Sequence, residues 1–388
     1  MRKRAHLQQW TATTLLVLLY VFFALAHVAA GQTNSLHSQP KLVWQVSLGK
    51  DPDWSESNTP IVRLAYGHPR VAFLGTSRVV ISFLHGEVQP AMDGPDSGGK
   101  SLARVGSVRF KAIFLDAATG SKAGEQSWMT FSDTGDLIPL SDEGFVIHAG
   151  NDLRSYSKNF NLRAHRELPP TMWVPWRRSQ YSQVFRVPGG RKMFLKQCNE
   201  VSKTGQHICS YTWVNVQNLQ DSVIFPDTSP ASLLPSEVGV ARNMPVPDTL
   251  DHDQVHVWQP ATGWKVLPAP TTLGAALFIS DEKLLLYGGD ETRIVNLRGE
   301  VTLNATVSRI DREPRASLRG NRIAFFDEQR RSATVRVFDM EEGREIARVM
   351  VRNPDSRRRD LALSESGEFL AILNGSVVQL FTLPSARR

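Results

Sequence analysis

Two cysteines in 388 residues are too few for a disulfide-dense scaffold. No Cys-x-x-Cys pair marks a zinc site or a redox centre. Gly-x-Ser-x-Gly and His-Glu-x-x-His do not occur, so serine-hydrolase and zinc-protease readings have no anchor, and no nucleotide-binding reading is carried. From Lys41 to Pro384 no stretch sustains a 3.6-residue apolar period, which leaves almost no room for helix. Acidic residues are missing from the first 30 positions. Arg2, Lys3 and Arg4 therefore stand as an uncompensated basic start, followed by the apolar run Leu15 to Ala26 and by small residues Val28-Ala29-Ala30 before Gly31. That order predicts a secretory signal peptide over residues 1–30 and an exported protein, periplasmic or secreted. An uncleaved membrane anchor is the alternative, because Ala12 to Ala30 is long enough to span a bilayer.

Removing those three cations takes the formal charge from +7 to +4. So small an excess, on an exported chain, excludes nucleic acid as the expected partner. A polar linker, residues 31–40, precedes the folded region. Cys198 and Cys209 flank Asn199 to Ile208, with Ser202-Lys-Thr-Gly205 at the middle, and the residues around them read as two strands of a hairpin. In an oxidising compartment the two thiols are expected to pair.

What the chain does contain is one phrase repeated with variations: an apolar run, an acidic or polar turn ending in Gly, then a further apolar run. It occurs as Ala112-Ile-Phe-Leu-Asp-Ala-Ala-Thr-Gly120, Val255-His-Val-Trp-Gln-Pro-Ala-Thr-Gly263 and Val335-Arg-Val-Phe-Asp-Met-Glu-Glu-Gly343. Each reads as strand, tight turn and return strand, since Asp opens a turn and Gly accepts the positive φ that closes it. Strand clusters divide the chain into units near Val71–Trp128, Met129–Leu168, Gln180–Phe225, Ser232–Leu267, Ala275–Ala305, Arg315–Val351 and Arg359–Leu383. Units of this size are the spacing of propeller blades. The last has three clear strands, and Lys41-Leu-Val-Trp-Gln-Val-Ser47 has no partner of its own. Joining the two closes a ring and protects its edges. The expected fold is therefore all-β: a single propeller over residues 41–384, most simply of seven blades, with residues 385–388 as a tail. Irregular first and fourth units leave six or eight open.

At Leu361-Ala-Leu-Ser-Glu-Ser-Gly-Glu-Phe-Leu-Ala-Ile the chain resembles WD40-like propellers of bacteria, whose blades read as apolar strand, Ser-x-x-Gly, apolar strand. Phe114-Leu-Asp-Ala-Ala-Thr-Gly120 followed by Trp128 resembles a blade motif of quinoprotein dehydrogenases. The second likeness departs from its family, which carries a vicinal disulfide beside the cofactor, whereas ten residues separate Cys198 from Cys209. Both resemblances imply a fold and no chemistry.

Three clusters are candidate sites. Asp251-His252-Asp253-Gln254-Val255-His256 holds potential metal ligands, but alternation through Trp258 predicts a strand, which would set the two imidazoles about 13 Å apart. Neither a metal nor a cofactor is therefore expected. Arg357, Arg358 and Arg359 form the strongest local positive charge, either a contact for an anionic partner or a solvated loop between Asp355 and Asp360. Trp173 and Trp176, beside Arg177 and Arg178 in a Pro-rich connection, offer a stacking surface to a sugar or peptide, or fold back to cover an inter-blade gap. The functional expectation is a monomeric, non-catalytic scaffold binding a protein or glycan. Its rival is an enzyme with a loop-built central site, quinone-dependent or lactonase-like.

Overall fold

The computed structural model describes residues 39–51, 53–54, 69–89, 104–130, 135–169, 172–174, 177–187, 190–200, 207–225, 234–236, 239–245, 253–267, 275–288, 291–306, 310–317, 321–329, 332–355 and 358–385. The chain enters with β1 (Lys41–Ser47) and then lays down seven antiparallel sheets in sequence. Blade 1 holds β2 (Arg70–Leu74), β3 (Arg78–Gln89), β4 (Arg104–Asp116) and β5 (Lys122–Thr130). Blade 2 holds β6 (Gly135–Pro139), β7 (Phe145–Ala149), β8 (Asp152–Tyr156) and β9 (Leu162–Glu167). Blade 3 has five strands, β10 (Met172–Val174), β11 (Arg177–Arg186), β12 (Lys192–Glu200), β13 (His207–Asn215) and β14 (Asp221–Phe225). Blade 4 follows as β15 (Leu234–Pro235), β16 (Val240–Pro245), β17 (Asp253–Gln259) and β18 (Gly263–Leu267). Blade 5 is β19 (Ala275–Phe278), β20 (Lys283–Gly288), β21 (Glu291–Asn296) and β22 (Val301–Thr306). Blade 6 is β23 (Ile310–Ala316), β24 (Arg322–Gln329), β25 (Ser332–Asp339) and β26 (Arg344–Val351). Blade 7 takes β27 (Arg359–Leu363), β28 (Phe369–Asn374) and β29 (Val377–Thr382), and receives β1 as its outermost strand.

The seven blades form a ring, a seven-bladed β-propeller closed between its first and last strands. Three boundaries differ from the sequence reading, blade 6 opening at Ile310 and not at Arg315. Met129 and Thr130 complete the outer strand of blade 1, because both continue its ladder opposite Arg109 and Val108. The Pro-rich stretch before blade 3 is not wholly connection, since Met172–Val174 pairs with the start of β11.

The repeated phrase proves to be the turn between the third and fourth strands of a blade. In blade 1 the Asp116 carboxylate accepts the Ala118 and Thr119 amides at 3.0 and 2.9 Å, and Gly120 donates back to the Asp116 carbonyl at 2.8 Å. Asp339 repeats this in blade 6, accepting from Glu341 and Glu342, with Gly343 donating to its carbonyl at 3.0 Å. Asn296 holds a shorter variant in blade 5, its side-chain oxygen accepting the Arg298 and Glu300 amides while Gly299 donates to its carbonyl at 2.9 Å. A short oxygen on the first residue and a left-handed last residue are what this turn demands.

Burial follows from stacking. Among the described residues the buried apolar side chains fall into seven clusters, one at each seam between neighbouring blades. Inner strands are covered on both faces, as the fully buried β27 shows, whereas outer strands such as β1 are mostly exposed. Each large apolar side chain so buried contributes roughly 1.5–3 kcal/mol. Indole N–H groups cross three of the seams: Trp44 donates to the Ala117 carbonyl at 2.8 Å, Trp128 to the Tyr156 hydroxyl at 2.9 Å, and Trp213 to the Ser236 carbonyl at 2.8 Å. Each donor is thereby satisfied where an unpaired one would be costly.

Closure uses more than the β1–β29 ladder, which runs from Lys41 opposite Thr382 to Ser47 opposite Val377. Trp44 packs so closely on Gly120 that a Cβ there would lie 2.8 Å from the indole. Beyond β1, Asp51 and Asp53 grip the buried Lys111 of blade 1 at 3.1 and 2.8 Å. Trp54 stands edge-on to Phe83 of blade 1 and lies under Arg358 of blade 7.

Two losses of stability follow. Trp44→Ala removes a buried indole and its hydrogen bond from the closing seam and is expected to cost about 3–5 kcal/mol in denaturant unfolding; a loss below about 1 kcal/mol would show that closure does not rest on this residue. The Cys198–Cys209 disulfide closes a separation of 11 residues between directly opposed positions of β12 and β13. Replacing both cysteines with Ala should cost about 2–3 kcal/mol, and reductant should destabilise the native protein but leave the variant unchanged.

Candidate functional site

On the face carrying the turns that follow each inner strand, the central channel opens into a small mouth. Leu74 ends β2, Pro139 ends β6, Arg186 ends β11, Ala316 ends β23 and Leu363 ends β27. Residues at these ends line a cavity of about 40 Å³, with Ser141, Arg186, Arg315, Ser317 and Glu365 as its polar rim. Leu140 and Ser141 also line a second cavity of about 150 Å³ between blades 2 and 3, walled by Asp142, Arg191, Asn215 and Gln217. The mouth and this groove thus meet along the turn of blade 2.

Buried serines hold the turns around the mouth. Ser236 accepts the Gly239 amide at 2.9 Å, Ser317 the Arg322 amide at 3.0 Å and Ser364 the Phe369 amide at 3.0 Å. All three begin a Ser-x-x-Gly sequence, as does Ser141 on the mouth. The sequence reading saw that pattern in the last blade and missed the other three. Deeper in the channel the buried Asp360 accepts the Val71 amide of blade 1 at 2.9 Å and faces the Arg315 guanidinium of blade 6 at 3.4 Å. One carboxylate thereby joins three blades and fixes the direction in which Arg315 reaches the rim.

Of the residues singled out by sequence, Cys198 and Cys209 are joined and buried. Trp173 lies in β10, directly opposite Arg178, and Arg177 opposes Val174. Trp176 and Arg357 lie outside the described residues. Arg358 and Arg359 do not form the exposed basic patch expected of them, with only 7 % and 1 % of their surface exposed. Arg358 donates to the Trp54 carbonyl at 3.0 Å and covers its ring at 4.9 Å. Arg359 lies on the Phe326 ring at 5.3 Å and meets Glu328 of blade 6 at 3.1 Å. The run of like charge is drawn inward because Arg358, in the bend before β27, and Arg359, the first residue of β27, each find a ring or carboxylate in a seam. His256 sits in β17, as alternation predicted, edge-on to Trp264; Asp251 and His252 lie outside the described residues. Among the described residues no group of three His, Cys, Asp or Glu is arranged to hold a metal.

One motif escaped the sequence reading. Gly94-Pro-Asp-Ser-Gly-Gly-Lys-Ser101 has the Gly-x-x-x-x-Gly-Lys-Ser spacing of a phosphate-binding loop. It lies outside the described residues, between β3 and β4, two antiparallel strands paired to each other. The helix N-terminus on which such a loop depends is not the element that follows it.

Desolvation shifts a histidine and a lysine in two of the seams. His148 of β7 is buried between blades 2 and 3, where desolvation pushes its pKa down to about 4 against a weaker opposing bond to Gly150. Its Nε2 has no partner among the described residues. Lys196 of β12 lies half-buried with its ammonium 5.8 Å from the centre of the Tyr211 ring, and desolvation pushes its pKa below the ordinary lysine value.

No family model matches the chain, and no curated protein sequence matches it. Solved structures do. The WD40 domain of Neurospora crassa Pan2 superposes with a TM-score of 0.53 at 8 % identity, covering 90 % of this chain and 98 % of that one. Chaetomium thermophilum Raptor gives 0.51 at 10 % identity over 87 % of this chain, which spans 31 % of Raptor's length. The fold is that of a WD40-like propeller. At these identities the likeness is one of fold alone.

The buried His148 makes stability pH-dependent. Its folded pKa of about 4 lies below the unfolded value near 6.5, so the unfolded chain takes up the proton first. Stability should be unaffected above pH 6.5 and fall as pH drops from there towards 4, by about 3 kcal/mol from this residue. Unfolding free energies across that range should show a shallower acid limb in His148→Leu than in the native chain; parallel limbs would remove His148 from the account.

Proposed function

We propose that the chain is an exported, monomeric, non-catalytic propeller that binds a protein partner on the face containing the channel mouth. The carrying observation is the shape of that mouth: a polar cavity of about 40 Å³, rimmed by side chains from five blades, opening beside a groove of about 150 Å³. Small-molecule sites enclose about 300–1,000 Å³, so a ligand here rests on the rim and does not enter. A rim fixed by serine-pinned turns and by Asp360 presents Arg186, Arg315 and Glu365 at little cost in ordering. WD40-like folding is compatible with a scaffold role. Export is supported by the basic, apolar and small-residue order of residues 1–30 and by a disulfide that an oxidising compartment maintains.

Crosslinking of the tagged chain in its native compartment, followed by capture, tests this reading. Arg186→Glu, which reverses an exposed rim charge, should lower recovery of the specific partner at least fivefold while leaving the unfolding transition unchanged. Undiminished recovery would move the contact elsewhere. A stoichiometric metal or quinone in the purified protein, read by elemental analysis and absorbance, would favour the loop-built enzyme instead.

A further inference from the structure

The seam between blades 3 and 4 carries at its margin an ammonium, that of Lys196, whose one electrostatic contact among the described residues is an aromatic ring. Its core is aromatic: Phe194 stacks on Tyr211 at 5.6 Å, Tyr211 meets Phe225 at 6.1 Å, and Phe225 meets Trp258 and Trp264 at 4.8 and 6.0 Å. Lys196 shares this face of β12 with Phe194 and Cys198, since alternate residues of a strand point the same way. In the ladder it stands between Gln183 of β11 and Tyr211 of β13, neither of which carries a charge to neutralise it. Among the described residues no carboxylate lies within ion-pair distance of its ammonium, whose one contact of electrostatic kind is the Tyr211 ring. Other cations drawn into seams are hydrogen-bonded or paired: Lys111 meets Asp51 and Asp53, Arg336 meets Asp327 and Glu345, Arg359 meets Glu328, and Arg358 and Arg322 donate to backbone carbonyls. A half-buried ammonium without a counter-charge is a cost that a Met or Leu of similar length would avoid.

We propose that Lys196, held over the buried ring of Tyr211, forms a recognition site for a carboxylate on a protein partner, an acidic side chain. The acid supplies the missing counter-charge to Lys196. Tyr211 holds the ammonium in place through its ring face, so the site is preset. This site lies in a different seam from the groove beside the channel mouth and does not depend on the reading of that face.

The test uses the whole chain and two peptides, acetyl-Gly-Glu-Phe-Gly-amide and its Gln counterpart, titrated with NMR detection. The Glu peptide should bind at least tenfold more tightly than the Gln peptide. Lys196→Met should abolish that preference and leave the melting temperature equal or higher, Lys196→Arg should retain the preference, and Arg186→Glu should not alter it. Equal binding of the two peptides, binding of neither, or a preference that survives Lys196→Met would overturn the proposal. So would a marked loss of stability in Lys196→Met, which would make the lysine a structural strut.

Discussion

The ring depends on one antiparallel pairing between chain ends, β1 against β29, joining residues as far apart in sequence as Lys41 and Thr382. Every other sheet forms between neighbours in the chain, so this ladder alone carries the loop-closure entropy of the whole propeller. Six backbone pairings would be a thin hold on that entropy. The contacts around them explain how it is met: Trp44 on Gly120, the Asp51 and Asp53 grip on Lys111, and Trp54 held between Phe83 and Arg358. The first lies within the added strand and the others just beyond it, and all engage blade 1, so closing the sheet of blade 7 also closes its seam with the next blade.

Once closed, the ring gives buried polar groups defined partners. Hydrogen bonds and ion pairs that cross seams replace those a single blade would make to water: the three indoles, Asp360 between blades 1, 6 and 7, and Arg322 of blade 6 on the Gly367 and Pro384 carbonyls. Such groups contribute less to net stability than the apolar seams, but they set the angle at which blades meet, because a misplaced blade would leave them unpaired. The same rigidity brings Arg186, Arg315 and Glu365 to one rim from blades 3, 6 and 7. It also leaves Lys196 at a seam margin without an acid partner among the described residues.

Local chemistry was legible where a short sequence dictates its own hydrogen bonds. Asp116 to Gly120 and Asp339 to Gly343 form the same turn because the Asp oxygen and the left-handed Gly need nothing from elsewhere in the chain. Cys198 and Cys209 were legible for a similar reason, since hairpin register opposes them whatever the rest of the protein does. Seven apolar units and an unpartnered strand at Lys41 were enough for the propeller and its closure. The short β10 was obscured by Pro169 and Pro170, and the outer strand of blade 1 was cut short at Trp128 because Met129, apolar yet exposed, breaks the alternation of apolar and polar residues.

The sequence by itself determined the blades, their turns, the disulfide and the closing strand, because each follows from neighbours within a few residues or from the demand that no sheet edge stay open. Only the tertiary structure decided where charge goes. Arg357-Arg358-Arg359 reads as a basic patch, yet Arg358 and Arg359 are internal, one over Trp54 and the other over Phe326, each more than thirty positions away. Asp360 binds Val71 from 289 residues away, and the rim of the channel mouth collects five strand ends. Those partners become neighbours through ring closure alone, and electrostatic energy depends on distance in space, which no local pattern records.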